Sequence, residues 1–133
     1  IILIYSSWGI YAVSERSRQF DQFEQYRAHW QSLNLQNYAY VIEEGCMLSS
    51  RTSATVQKGE HFFEQFEKQH LGGKATIAYL FDQTEQAIKE AHQLELRYNS
   101  DYGFPEEIRV DWSKDIIDDE CSYRVTEFKQ NEL

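Results

Sequence analysis

Between residues 17 and 33 large side chains recur at spacings of three and four. Phe20, Phe23, Tyr26, Trp30 and Leu33 fall on one stripe, which predicts an amphipathic helix. Ser14 or Ser17 suits its N-cap, and Asn34 or Asn37 tolerates the turn that ends it. The period then changes to two. Tyr38, Tyr40 and Ile42 alternate with Ala39, Val41 and Glu43, predicting a strand to about Met47 with one side in the core. Leu48 to Ser53 is polar and reads as a turn, Ala54 to Gln57 as a short strand, and Lys58-Gly59 as the reversal of a hairpin. Glu60 to Gln69 stays open, because His61, Phe62, Phe63 and Phe66 line either a return strand or one side of a short helix.

A second helix is expected over residues 76 to 93. Ile77, Leu80, Phe81, Thr84, Ala87, Ile88 and Ala91 form its apolar stripe, and Thr76 is its cap. Leu94, Leu96 and Tyr98 next alternate with Glu95 and Arg97. Asn99 to Gly103 reads as a turn, and Ile108, Val110 and Trp112 alternate with Arg109 and Asp111, so a hairpin is expected. After a polar connection from Ser113 to Glu120, Tyr123 and Val125 share a face of a last strand. Phe128 falls out of phase with them, which requires a bulge or an exposed edge near Glu127. The expected fold is therefore a two-layer α+β domain, two amphipathic helices packed on an antiparallel β-sheet.

A chain of 133 residues suits a single core. We place that domain at residues 17–133, preceded by an apolar segment at 1–16, which is either the remnant of a secretion signal or an extra packed element. The apolar run Ile1 to Val13 is too short to span a bilayer, and no later segment reads as transmembrane. Aromatic residues make up 15% of the chain, so rings are expected to supply much of the burial. A net charge of -9 disfavours nucleic acid as a partner. The acids are unevenly placed: residues 101 to 133 carry 10 acids against 4 bases.

The C-terminal half resembles a family of small exported bacterial proteins, often lipoproteins, known only as a domain of unknown function (DUF6174). The resemblance rests on Trp30 with Asn37-Tyr38-Ala39-Tyr40, on Leu80-Phe81-Asp82, and on Tyr98-Asn99-Ser100-Asp101-Tyr102-Gly103-Phe104-Pro105. Asp118-Asp119-Glu120 before Tyr123 and Val125 completes it, so that it spans roughly residues 20 to 126. It implies that Lys58-Gly59 is a hairpin turn and that Glu60 to Gln69 tends to strand. It implies an exported, periplasmic or extracellular home and carries no enzyme activity. Members typically hold closely spaced cysteines in the first strand and the loop beyond, whereas here Cys46 stands alone there.

Cys46 and Cys121 lie 75 positions apart without zinc or redox spacing, one at each of two predicted strand ends, and are expected to be joined as a disulfide, the alternative being two separately buried thiols. Asp115, Asp118, Asp119 and Glu120, with Asp101 from the neighbouring turn, carry the oxygen ligands calcium prefers. Turn formation explains the same residues, and no metal is expected. Tyr102, Phe104 and Trp112, with Tyr98, surround Pro105, and either pin the hairpin or read a peptide or sugar. No two of the four histidines have ligand spacing on a common face, and no phosphate loop or nucleophile elbow is present. The reading is an exported binding or scaffold module that uses no cofactor, takes no nucleic acid, and engages a protein, peptide or small ligand. The alternative is a small hydrolase, or a calcium-dependent enzyme or binding protein using the acidic loops. The expected surface comprises Asp101, Tyr102, Phe104, Trp112, Asp118, Asp119 and Glu120, taken to sit at one end of the sheet.

Overall fold

The computed structural model describes residues 2–46, 49–65, 75–115 and 120–131. In chain order the elements are α1 (Ile2–Leu33), β1 (Tyr38–Gly45), β2 (Ser49–Gln57), β3 (Glu60–Gln65), α2 (Ile77–Glu90), β4 (Gln93–Tyr98), β5 (Pro105–Asp111) and β6 (Glu120–Gln130). The six strands form one antiparallel sheet in the order β3-β2-β1-β6-β5-β4. This is the expected α+β fold with both helices on one face.

The apolar start of the sequence is helical and continuous with the amphipathic stretch, so neither Ser14 nor Ser17 caps α1. No Pro interrupts the run, and nothing local stops the helix before Asn34, which turns the chain with a φ of 45°. Thr76 caps α2 as expected, its hydroxyl accepting from the Tyr79 N–H at 3.0 Å. Ser49 to Ser53, expected as a turn, instead belongs to β2 and pairs with Gly45 to Val41. Small polar side chains hid the alternation there: Ser50 and Thr52 are buried on the helix side, where Ala54 and Val56 continue the row. Glu60–Gln65 is strand, and the remainder of that ambiguous segment lies outside the described residues, as do Leu48 and Met47. Lys58 and Gly59 both take positive φ, the geometry of a two-residue hairpin turn that follows the twist of the strands.

The core is aromatic. Phe23 of α1 is fully buried edge-on against Phe81 of α2, 6.1 Å between centroids. Trp30, one face further along α1, meets Tyr38 at 5.4 Å, Phe104 at 5.9 Å and Phe128 at 6.0 Å. Phe128 reaches this cluster through the expected irregularity. The β1–β6 register shifts between Ala39 and Val41, and Glu127 opposite adopts a φ of 55°. The extra residue turns Phe128 to the same face as Tyr123 and Val125. Burying each ring is worth roughly 1.5–3 kcal/mol.

Cys46 and Cys121 are bonded, with Cα atoms 4.2 Å apart, and clip the β1–β6 ladder immediately beyond the Gly45–Ser122 pair. Of the two alternatives, the disulfide holds. Its loop spans 75 positions, and constraint of the unfolded chain is expected to contribute roughly 2–5 kcal/mol. Urea unfolding of the Cys46→Ala, Cys121→Ala double variant is therefore expected to show a loss in that range. Wild type treated with reductant should match it. An unchanged midpoint would mean that the bond does not constrain the unfolded state.

The β4–β5 turn is fitted beneath α1. Gly103 takes a φ of +89°, and a Cβ there would lie 2.7 Å from the Tyr26 carbonyl oxygen. Gly103→Ala should therefore cost about 1–3 kcal/mol, measured by the same unfolding method.

The Tyr40 hydroxyl, buried under α2, donates to the Ala75 carbonyl at 2.7 Å, and burial pushes its pKa above the ordinary tyrosine value of 10.0. Burial likewise raises Tyr98 and Tyr123. The folded chain keeps these protons where the unfolded chain loses them, so their contribution is complete below about pH 10 and is lost as pH rises beyond it. Unfolding free energy followed against pH should fall above that point, with a shallower slope in Tyr40→Phe.

Candidate functional site

The structure separates the two loops that the sequence reading placed together. The Asn99 to Phe104 turn joins β4 to β5 at the Tyr98 end, whereas the chain leaves β5 for β6 at Asp111, about 20 Å away along the strand. Asp101 and Trp112 therefore mark opposite ends of the sheet, because a hairpin turn and the next connection must alternate ends.

Gly103 and Phe104 of the turn are buried, while Ser100 and Asp101 are exposed. The Asn99 side-chain oxygen accepts from the backbone N–H of Asp101 at 3.0 Å and of Tyr102 at 2.9 Å, while the Asp101 carbonyl meets His29 Nε2 at 2.9 Å. Tyr98 stacks on Tyr26 at 4.3 Å, and Phe104 is fully buried. Tyr102 lies 4.5 Å from Phe128. This hairpin is an anchor for α1, and its aromatic residues are spent on packing. At the other end Trp112 packs against the core, Asp115 and Glu120 are exposed, and Asp118 and Asp119 lie outside the described residues. Among the described residues no group of three or more His, Cys, Asp or Glu side chains gathers as a metal would require.

A different surface emerges from the strand registers. Side chains alternate across the sheet, so the residues between the core positions point away from the helices. One row on that far face runs Arg97, Glu107, Arg124, Glu43, Arg51 across β4, β5, β6, β1 and β2. The next row runs Glu95, Arg109, Ser122, Gly45, Ser49. Charges thus alternate along the first row, while the middle of the second is made of the smallest side chains available.

That contrast in side-chain length makes a trough. Gly45, Ser49 and Ser122 form its floor, with Arg51, Arg109 and Arg124 around it, enclosing about 460 Å³. It continues past Arg109 into a depression of about 380 Å³ that reaches Glu95, Asp111, Glu120 and the disulfide. Glycine at position 45 keeps the floor low: a Cβ there would stand 3.1 Å from the Ser122 hydroxyl oxygen, which lies 3.4 Å from the Gly45 carbonyl oxygen.

Most of the rim is internally paired. Arg97 binds Glu106 and reaches Glu107 at 3.3 Å, Arg109 meets Glu107 at 2.9 Å, and Arg51 spans Glu43 at 3.7 Å and Glu127 at 3.4 Å. The Arg97 hydrogen bond and the charge of Arg109 hold the Glu107 carboxyl below its ordinary pKa. Arg124, central in the row and exposed, makes no ion pair among the described residues. The sequence reading missed this face. Its signal was the polar half of each alternating strand, where Glu43, Arg97, Glu107, Arg109 and Arg124 were legible as outward positions. Their alignment across strands was not, since register is a tertiary property.

Neither a curated protein nor a solved structure matches the chain. A family model does, over residues 22–130, a span that runs from the middle of α1 to the end of β6 and takes in the anchoring hairpin and the whole far-face trough. The chain belongs to the family of unknown function DUF6174.

Proposed function

We propose that this chain is an exported, non-catalytic binding domain that holds a polar, charge-bearing ligand in the trough on the far face of its sheet. The observation that carries the reading is the trough itself, floored by Gly45, Ser49 and Ser122 and ringed by three guanidinium groups, Arg51 and Arg124 from the row of alternating charge and Arg109 from the row beside it. A ligand bearing both signs of charge, such as a short extended peptide laid across the strands, matches the row without leaving a charge unpaired. Arg124 offers a fork of N–H donors suited to a carboxylate. Glu107, its pKa lowered by its arginine partners, is a weak base near neutrality and is better suited to holding charge than to taking a proton.

Export is supported by the Cys46–Cys121 bond, which persists in oxidising compartments. Among the described residues no helix is long and apolar enough to cross a membrane. The domain proper is read as residues 17–133, with the amphipathic part of α1 as its first packed element.

The test is a two-dimensional NMR titration with short peptides of alternating Lys and Glu, of Lys alone and of Glu alone. The alternating peptide is expected to shift the amides of Gly45, Ser49 and Ser122, with an effect that weakens as salt is raised. Replacing Arg109 and Arg124 together by Ala should weaken binding about tenfold or more, a difference of about 1.4 kcal/mol. The same change should alter stability by less than about 1 kcal/mol, because the side chains are exposed. Shifts confined to the helix side, or none with any peptide, would overturn the reading.

A further inference from the structure

The two edges of the sheet are built differently. β4 presents Gln93, Glu95 and Arg97 outward, and its last residue, Tyr98, is covered by Tyr26. Charges on an edge strand discourage a further strand from pairing there. β3, at the other edge, has the sequence Glu-His-Phe-Phe-Glu-Gln and pairs with β2 through six uninterrupted positions. It holds no Pro, no Lys and no bulge; its charges are Glu60 and Glu64, of one sign and on one face, so they repel an acidic strand and admit a basic one. Phe62 is 51% exposed and Phe63 40%, and among the described residues these are the exposed large hydrophobic side chains.

The register gives each of them a side. Phe62 lies opposite Thr55 on the far face, with Glu60 and Glu64 two positions either side of it on that same face. Phe63 lies opposite Ala54 on the helix face, where the His61 ring stacks on it at 5.8 Å. An added strand would thus pass between two exposed rings, one above and one below the sheet, while hydrogen bonding to the outer backbone groups of β3.

We propose that β3 is a strand-addition site for an extended segment with the pattern basic, any, apolar, any, basic. The apolar centre lies against Phe62 and the two bases lie opposite Glu60 and Glu64. Because the pattern reads the same in both directions, it fits parallel and antiparallel addition alike. Charge decides the occupant. A second copy that pairs its own β3 with this one joins around a two-fold axis perpendicular to the sheet, which keeps like faces together. In the register centred on Phe62 that copy would set Glu60 against Glu64 twice, and in the register centred on Phe63 it would set Phe62 against Glu64. Like charges directly opposite each other destabilise a pair. A basic partner instead complements both these glutamates and the net charge of -9.

This site rests on a different observation from the trough and is tested separately. An end-capped peptide of Lys, Val, Phe, Val and Lys is titrated calorimetrically into the full chain, alongside its counterpart with Glu at both ends. The Lys peptide should bind at least tenfold more tightly, and the Glu60→Lys, Glu64→Lys double variant should reverse that preference. Phe62→Ala should weaken the favoured peptide in both backgrounds, and Arg124→Ala in neither. Equal binding of the two peptides, no binding of either, or an unchanged preference in the double variant would overturn the proposal. So would sedimentation showing a dimer that Phe62→Lys dissolves, since that would make the occupant a second copy.

Discussion

The contact between Trp30 and Phe128 is the one on which the rest of the structure depends. Trp30 brings the C-terminal half of α1 down onto the sheet, and Phe128 comes from the central strand β6, which pairs with both β1 and β5. Tyr38, Tyr102 and Phe104 join the same cluster, so one group of rings ties the helix, the first strand, the β4–β5 hairpin and the last strand together. Phe128 takes part only because Glu127 accepts a positive φ and advances the alternation of β6 by one residue. Backbone strain at one position is offset by the packing of four rings around the next.

The second anchor of α1 is the β4–β5 turn, and it works by close approach. Gly103 lets the chain pass under the Tyr26 carbonyl, Asn99 closes the turn through its side chain, and His29 holds the Asp101 carbonyl. Arg27 extends the contact sideways, lying over Phe23 at 4.8 Å and reaching Glu85 of α2 at 3.3 Å. The Tyr-Gly-aromatic-Pro segment that carries much of the family resemblance is therefore explained by helix docking.

With both helices committed to one face, the far face is left to polar side chains, as antiparallel sheets permit. The bulge and the disulfide bear on this face from opposite ends of the β1–β6 ladder. Between them the register is regular from Val41–Thr126 to Gly45–Ser122, and this regularity aligns Arg124 with Glu43 on one side and Glu107 on the other. Surface ion pairs of this kind add little stability individually. Their consequence is positional, since each paired guanidinium is drawn towards its carboxylate and the small residues beside the row stay uncovered.

The sequence by itself determined the elements whose side chains repeat with a clear period: the stripe from Phe20 to Leu33, the alternation of β1, β4 and β5, the second helix with its Thr76 cap, and the misfit at Phe128. Periodicity is local and survives without the fold. It did not reveal Ser49 to Ser53 as strand, because Ser50 and Thr52 are buried polar residues and carry no hydrophobic signal. It pointed to the Cys46–Cys121 bond from the position of the two cysteines at strand ends, but the pairing of β1 with β6, strands separated by most of the chain, is what brings them together. It placed the Asp101 and Glu120 loops on one surface, and connectivity put them at opposite ends. The trough was beyond its reach altogether, because Arg51, Arg109 and Arg124 come from three strands and converge only through cross-strand register, which the tertiary structure alone decides.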